Sequence, residues 1–138
     1  MRTQRVKTRP QFQAVLAGAI VAKTDHFALH RGACKIGISF SRDADGSDAE
    51  CLFRLPATWL GAMVPKRWAR RAATRNLIKR QIYSVSANFL QQYPQAAFVV
   101  RLRCEFARKE FFSASSEPLK NAVRVELQSL MFAGLGVA

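Results

Sequence analysis

The stretch Lys66–Phe89 (KRWARRAATRNLIKRQIYSVSANF) constrains any fold this chain can adopt, because it joins a dense cationic run to an apolar stripe. Between Lys66 and Arg80 it carries seven basic residues (Lys66, Arg67, Arg70, Arg71, Arg75, Lys79 and Arg80) and no acid. At about 100° per residue, Ile78, Ile82, Val85 and Phe89 fall on one narrow stripe of a helix. Asn76, Arg80 and Tyr83 share a second face, with Arg75 and Lys79 beside it. The stripe must lie on a core and the cations must face water. Arg67, Arg70 and Arg71 extend the positive surface over the approach to the helix. Arg outnumbers Lys five to two in this run, and the planar guanidinium suits bidentate contact with phosphate. One-sided charge of this density repels itself unless a polyanion meets it, which weighs against a merely solvated basic face.

Length bounds the chain to a single domain, residues 1–138, large enough for a core but not for two. The net charge is +13, and four of the nine acids (Asp43, Asp45, Asp48, Glu50) crowd into one short loop, so the rest of the surface is more cationic still. Nucleic acid is the first partner to consider. An anionic membrane is second, but the basic helix lacks the broad Trp/Leu-rich face of an interfacial anchor. No stretch approaches the ~20 apolar residues of a membrane span. The start MRTQRVKTRPQF has no following signal-peptide pattern. Cys34, Cys51 and Cys104 form no C-x-x-C pair and read as free, mostly core thiols. The expected compartment is the cytoplasm.

Residues 1–9, with Arg2, Arg5, Lys7 and Arg9, read as a flexible basic arm. Pro10 can open a short helix with Phe12, Val15 and Leu16 on one face and Gly18 closing it. His26–His30 reads as a strand, on which the two histidines would share a face; no ligand set accompanies them. Lys35–Ser41 and Cys51–Leu55 read as a hairpin (35–55) around the Asp-Gly turn of an acidic loop that does not fit a calcium-binding pattern. Trp59–Val64 is a strand stopped by Pro65. Tyr93-Pro94 ends the central helix, and Phe98–Phe106 alternates as a strand with Val99, Arg101 and Arg103 on its outer face. Ser116-Glu117-Pro118 opens a last helix, buried along Leu119, Ala122, Val123, Leu127, Leu130 and Met131 and ended by Gly134. The order is α-β-(ββ)-β-α-β-α, an α/β (α+β type) two-layer sandwich of one mixed sheet, a long central basic helix and flanking N- and C-terminal helices.

A protein nuclease needs clustered carboxylates for metal ions or a His/Lys/Arg acid–base constellation. Here the acids gather in one loop or scatter, and no Ser-His-Asp, Cys-His or glycine-loop pattern occurs. The residues argue for binding without protein-borne catalysis and without a metal site of the protein's own. Three classes stay open on residues alone: an RNA-binding accessory subunit, a ribosomal or other structural RNA-binding protein, and a self-sufficient metal nuclease.

The pair Lys66-Arg67, seven residues, then Arg75-Asn76-Leu77-Ile78-Lys79-Arg80 resembles the "RNR" signature of the bacterial ribonuclease P protein component. The helix RPQFQAVLAG (Arg9–Gly18) and the strand WLGAMVPKR are similar to that family outside the signature. The chain departs from it where Leu77 replaces the middle Arg, and where Tyr83, Ser84 and Ala87 stand at usually basic positions. The 35–55 hairpin looks like an insertion. The resemblance implies a left-handed crossover around the central helix, where the general default is right-handed. It implies an accessory subunit of an endoribonuclease whose RNA carries the Mg²⁺-dependent active site, with the catalytic RNA and the 5′ leader of precursor tRNA as partners and no obligate protein partner. Carried over, the RNA-facing set is Lys66, Arg67, Arg70, Arg71, Arg75, Asn76, Lys79 and Arg80. The leader cleft would use Phe12, Leu16, Phe27 and His30, with Arg101 and Arg103 adding charge. Plain core packing is the competing reading for Phe12 and Phe27.

Overall fold

The computed structural model describes residues 3–32, 57–94, 96–106 and 117–136. The 35–55 hairpin with its acidic loop, Cys34, Cys51 and the Ser116 cap lie outside the described residues.

The described elements are β1 (Thr3–Arg5), α1 (Arg9–Leu16), β2 (Ala19–Lys23), β3 (Phe27–Arg31), β4 (Thr58–Met63), α2 (Ala72–Ala87), β5 (Ala97–Leu102) and α3 (Glu117–Leu135). The strands form one mixed sheet in the order β1-β4-β5-β3-β2. β4 pairs in parallel with β1 and β5, and β3 runs antiparallel to both β5 and β2. The mixed sheet with a long central basic helix and flanking helices is the architecture expected from the sequence.

β5 occupies the middle of the sheet, and Ala97, Phe98, Val99 and Val100 are all fully buried. On one face Phe27, Leu29, Leu60, Phe98, Val100 and Leu102 meet Ile78, Ile82 and Val85 of α2 and Val123, Leu127, Leu130 and Met131 of α3 in the main core. On the other, Val6, Trp59, Ala97 and Val99 pack with Val15 of α1 in a smaller cluster. α1 is fixed at its start by a capping box: Gln11 N–H donates to Thr8 Oγ1 (3.3 Å) while Gln11 Oε1 accepts from Thr8 N–H (3.1 Å).

Several boundaries differ from the sequence expectation. Thr3–Arg5, expected in a flexible arm, is an edge strand on β4. Ala19–Lys23, not recognised as a strand, pairs with β3 through an irregularity between Ile20 and Ala22. α2 begins at Ala72, not Lys66, because the Pro65 carbonyl closes a turn by accepting from Trp68 and Ala69 N–H (both 3.1 Å). β5 ends at Leu102, which leaves Cys104 exposed instead of in the core. His26 precedes β3 and turns toward α3, whereas His30 sits on the α1 side of the sheet, so the two do not share a face.

Gly134 does not end α3; it lies within it and lets the helix press on Tyr93. The Tyr93 hydroxyl donates to the Met131 carbonyl and its ring meets Phe98 edge-on at 5.1 Å. Burial pushes the phenol up to about 12. A Cβ at Gly134 would fall 2.3 Å from Tyr93 Oη and 2.7 Å from Leu29 Cδ2, both in the main core. Gly134→Ala is therefore expected to destabilise by about 1–3 kcal/mol through overpacking, despite the up to ~1 kcal/mol better helix propensity of Ala. Tyr93→Phe should cost about 1 kcal/mol, and combining the two should recover part of the loss because the nearest clashing atom is gone. Urea midpoints of the three variants check this; a neutral Gly134→Ala would refute it.

Candidate nucleic-acid interface

The cations of the central run divide by what holds them. Lys66 and Arg67 lie in the turn after β4, and Arg70 and Arg71 lead into α2; all four are exposed. Arg67 carries its guanidinium 5.3 Å from the Trp68 ring centroid. On α2, burial of Leu77, Ile78, Gln81, Ile82, Val85 and Ser86 leaves Asn76, Lys79 and Arg80 facing out. Phe89, expected on the buried stripe, is only partly covered. Arg75 is half-buried, and its Nη1 donates to the carbonyls of Ala69 (3.1 Å) and Arg70 (2.8 Å), fastening the turn to the helix.

α2 opens with no side-chain cap and no acid in its first turn. The positive end of its dipole points toward the side where Arg70 and Arg71 sit, an arrangement that favours an anion. Among the described residues the one ion pair, His26–Glu126, lies elsewhere. Leu77, which stands where the signature has an arginine, is 4% exposed and belongs to the main core. Its position is buried, so the replacement removes no cation from the exposed row.

The opposite face of the sheet gathers Phe12, Leu16, His30 and Arg101. Phe12 and Leu16 are half-buried against the smaller cluster. A Cβ at Gly61 would come within 2.7 Å of the Phe12 ring, so Gly61 gives that ring its seat on β4. His30 pairs with Val99 and Ala28 with Arg101, which sets the His30 and Arg101 side chains on this face. Arg101 Nε donates to His30 Nε2 (3.1 Å). Arginine can only donate, so His30 Nε2 carries the lone pair and Nδ1 the proton; Nδ1 is buried with no partner among the described residues.

Two residues expected in this cleft do other work. Phe27 is fully buried on the other face, in the main core beside Phe106. Its register partner is Leu102, one step out of phase with His30. Arg103 reaches back to the β2–β3 turn, where Nη1 donates to the carbonyls of Thr24 (2.7 Å) and Asp25 (2.8 Å).

Glu126, one of the scattered acids, organises this turn from α3. Its carboxylate accepts from Thr24 Oγ1 (2.6 Å) and His26 N–H (2.7 Å) and meets His26 Nδ1 (2.7 Å), while the His26 ring stacks on Phe106 at 4.0 Å. The separation of 100 residues from His26 hides this contact from local pattern reading. Arg5, expected in the mobile arm, lies 4.0 Å over the Tyr83 ring.

Among the described residues no three His, Cys, Asp or Glu side chains lie together as metal donors, and no helix is long and apolar enough to cross a membrane.

Fold and surface together define a basic α+β protein whose cationic helix face makes no ion pair among the described residues. A family model described as Ribonuclease P matches residues 1–125, and the chain belongs to that family. It is 35% identical over 72 residues to a ribonuclease P protein component of Paraburkholderia xenovorans (52% of each chain), and 29% identical over 91 residues to one of Trichormus variabilis (64% and 65%). The aligned stretch thus spans about half the length of the first relative. The solved Staphylococcus aureus RNase P protein shares the fold at a TM-score of 0.59 and 17% identity, over 95% of this chain and 94% of that one.

Burial first, and the Arg101 charge second, hold the His30 pKa below its ordinary 6.5. The unfolded chain then binds the proton more readily than the folded one. Stability is expected to fall as pH drops below 6.5, by at most about 1.4 kcal/mol per pH unit from this group. His30→Leu should flatten the slope by that contribution. Urea titrations of both proteins at about pH 7 and about pH 5 read the difference; identical slopes would contradict it.

Proposed function

We propose that this protein is the protein subunit of ribonuclease P. It binds the catalytic RNA and holds the 5′ leader of precursor tRNA, promoting endonucleolytic maturation of the tRNA 5′ end. The observation that carries the reading is the exposed row Lys66, Arg67, Arg70, Arg71, Asn76, Lys79 and Arg80, which has no acid partner among the described residues and ends at an uncapped helix start. Such a surface meets a phosphate backbone with fixed cations and backbone donors. Arg75 serves it by bracing the turn that presents Arg70 and Arg71.

The second face suits a single strand. Phe12, and Leu16 beside it, offer apolar surface for base contact, and Arg101, oriented by His30, offers a cation. Phe27 and Arg103 are committed elsewhere, so stacking rests chiefly on Phe12. The described residues bring no three metal-donor side chains together. Mg²⁺ belongs to the RNA in this reading, which assigns hydrolysis to the RNA and substrate capture to the protein, in the cytoplasm.

Precursor-tRNA cleavage at low Mg²⁺ tests it, with protein alone, the host's ribonuclease P RNA alone, and both together. Efficient cleavage by the combination only, with the leader released intact, is expected. Lys79→Glu/Arg80→Glu should weaken RNA affinity and lower the salt slope by about one unit per lost phosphate contact. A combination no better than RNA alone would point to another RNA partner, such as the ribosome, and cleavage by protein alone to a metal nuclease.

A further inference from the structure

The exposed row on α2 loses its charge after Arg80: Tyr83, Ser84 and Ala87 follow on the outward side. The structure brings a cation to this point from another element. Arg5 ends β1, and its register partner is Leu60, a main-core residue on the α2 side of the sheet. Alternation therefore aims Arg5 toward α2, and its guanidinium carbon lies 4.0 Å from the Tyr83 ring centroid.

Both partners are held. The next residue, Val6, is buried in the smaller cluster, and its N–H donates to the Leu60 carbonyl (2.9 Å), which fixes the end of β1. Tyr83 packs against the main core, and its Oη accepts from Ala62 N–H (3.3 Å). Asn76, Arg80 and Tyr83 follow one another at i, i+4 and i+7, so Arg5 stands where the next cation of the row would be. Its side chain is exposed, and the one ion pair among the described residues is elsewhere. A guanidinium seated on an aromatic face keeps its N–H donors along its rim, open to a phosphate.

We propose that Arg5 contacts an RNA phosphate as the last member of the α2 row, and that Tyr83 is the positioning residue that holds it there. The inference rests on the RNA-binding reading of the α2 face. It predicts that a three-residue edge strand, with its small share of the packing, serves to deliver one charge.

The test is equilibrium binding of the full chain to the host's ribonuclease P RNA over a range of KCl concentrations. Arg5→Gln should lower the salt slope by about one unit, with its urea midpoint near that of the wild type because the side chain is exposed. Tyr83→Leu should give a similar loss, Tyr83→Phe should keep the wild-type slope because the ring remains, and Arg5→Gln/Tyr83→Leu should be no worse than either single change. An unchanged slope in Arg5→Gln, with a lowered slope in Lys79→Glu, would overturn the Arg5 contact and leave the α2 face standing. Unchanged slopes in both would overturn the reading of that face as well. Additive losses in the double variant would remove Tyr83 from the positioning role.

Discussion

β5 is the constraint on which the other elements depend. It is bonded along both edges, in parallel to β4 and antiparallel to β3, and is covered on both faces through Val100. A strand in that position has no polar side to give to water, which is why AFVV carries no charge until Arg101. Parallel pairing with β4 demands a crossover, and α2 is that crossover. The chain leaves β4 at Met63, turns at Pro65, and returns through Tyr93-Pro94 to Ala97. Ile78, Ile82 and Val85 must then lie on the sheet, at about 1.5–3 kcal/mol for each large apolar side chain buried. Orientation of the cations follows from that burial. With the stripe seated, Asn76, Lys79 and Arg80 have nowhere to point but outward.

The same burial keeps a strongly self-repelling surface in place. Lys66, Arg67, Arg70, Arg71, Lys79 and Arg80 are exposed within a single turn and helix, and acids that could neutralise them are absent from that segment. Repulsion among them favours any bound polyanion, because neutralisation relieves a cost the fold already carries. The start of α2 acts in the same sense, since its N-cap residue, Arg71, supplies no side-chain cap and a cation instead. A serine or aspartate cap at position 71 would satisfy one N–H group of the first turn but would take a cation from the row.

The central segment was legible because two periods coincide in it: the apolar positions repeat like a helix, and the cations occupy the complementary angles. The strands Trp59–Val64 and Phe98 onward were legible from aromatic and β-branched content bounded by Pro65 and Pro94, to within a few residues. AIVAK was missed because a half-exposed strand with an irregular register shows no clean alternation. Thr3–Arg5 was missed because nothing in a basic terminus announces an edge pairing that depends on a strand 55 positions away. Phe27 shows the limit at the site. A one-residue step in a strand exchanges the two faces of a sheet, and composition cannot say which face a phenylalanine takes when both are buried. Contacts such as Glu126 with His26 exist only once α3 has docked.

Residue type also hides how the arginines divide their labour. Arg75 and Arg103 spend N–H groups on backbone carbonyls, Arg101 on the lone pair of His30, and Arg124 on Gln81 Oε1 at 2.8 Å. Each of these braces a place where regular structure stops or two elements meet. Arg75 and Arg103 each reach two carbonyls from one guanidinium nitrogen, and a planar guanidinium loses less entropy per bond formed than a flexible ammonium. None of these acceptors is anionic, so the bracing arginines keep their full charge. They add to the field around the exposed row while holding the turns that shape it. An Arg-to-Lys exchange at these positions conserves that field and weakens the bracing, whereas at Arg80 it leaves the hydrogen bonds among the described residues untouched. A high arginine share in this chain therefore reflects two demands met by one side chain, fastening irregular backbone and presenting phosphate-sized forks, and only the hydrogen bonds reveal which positions answer to which.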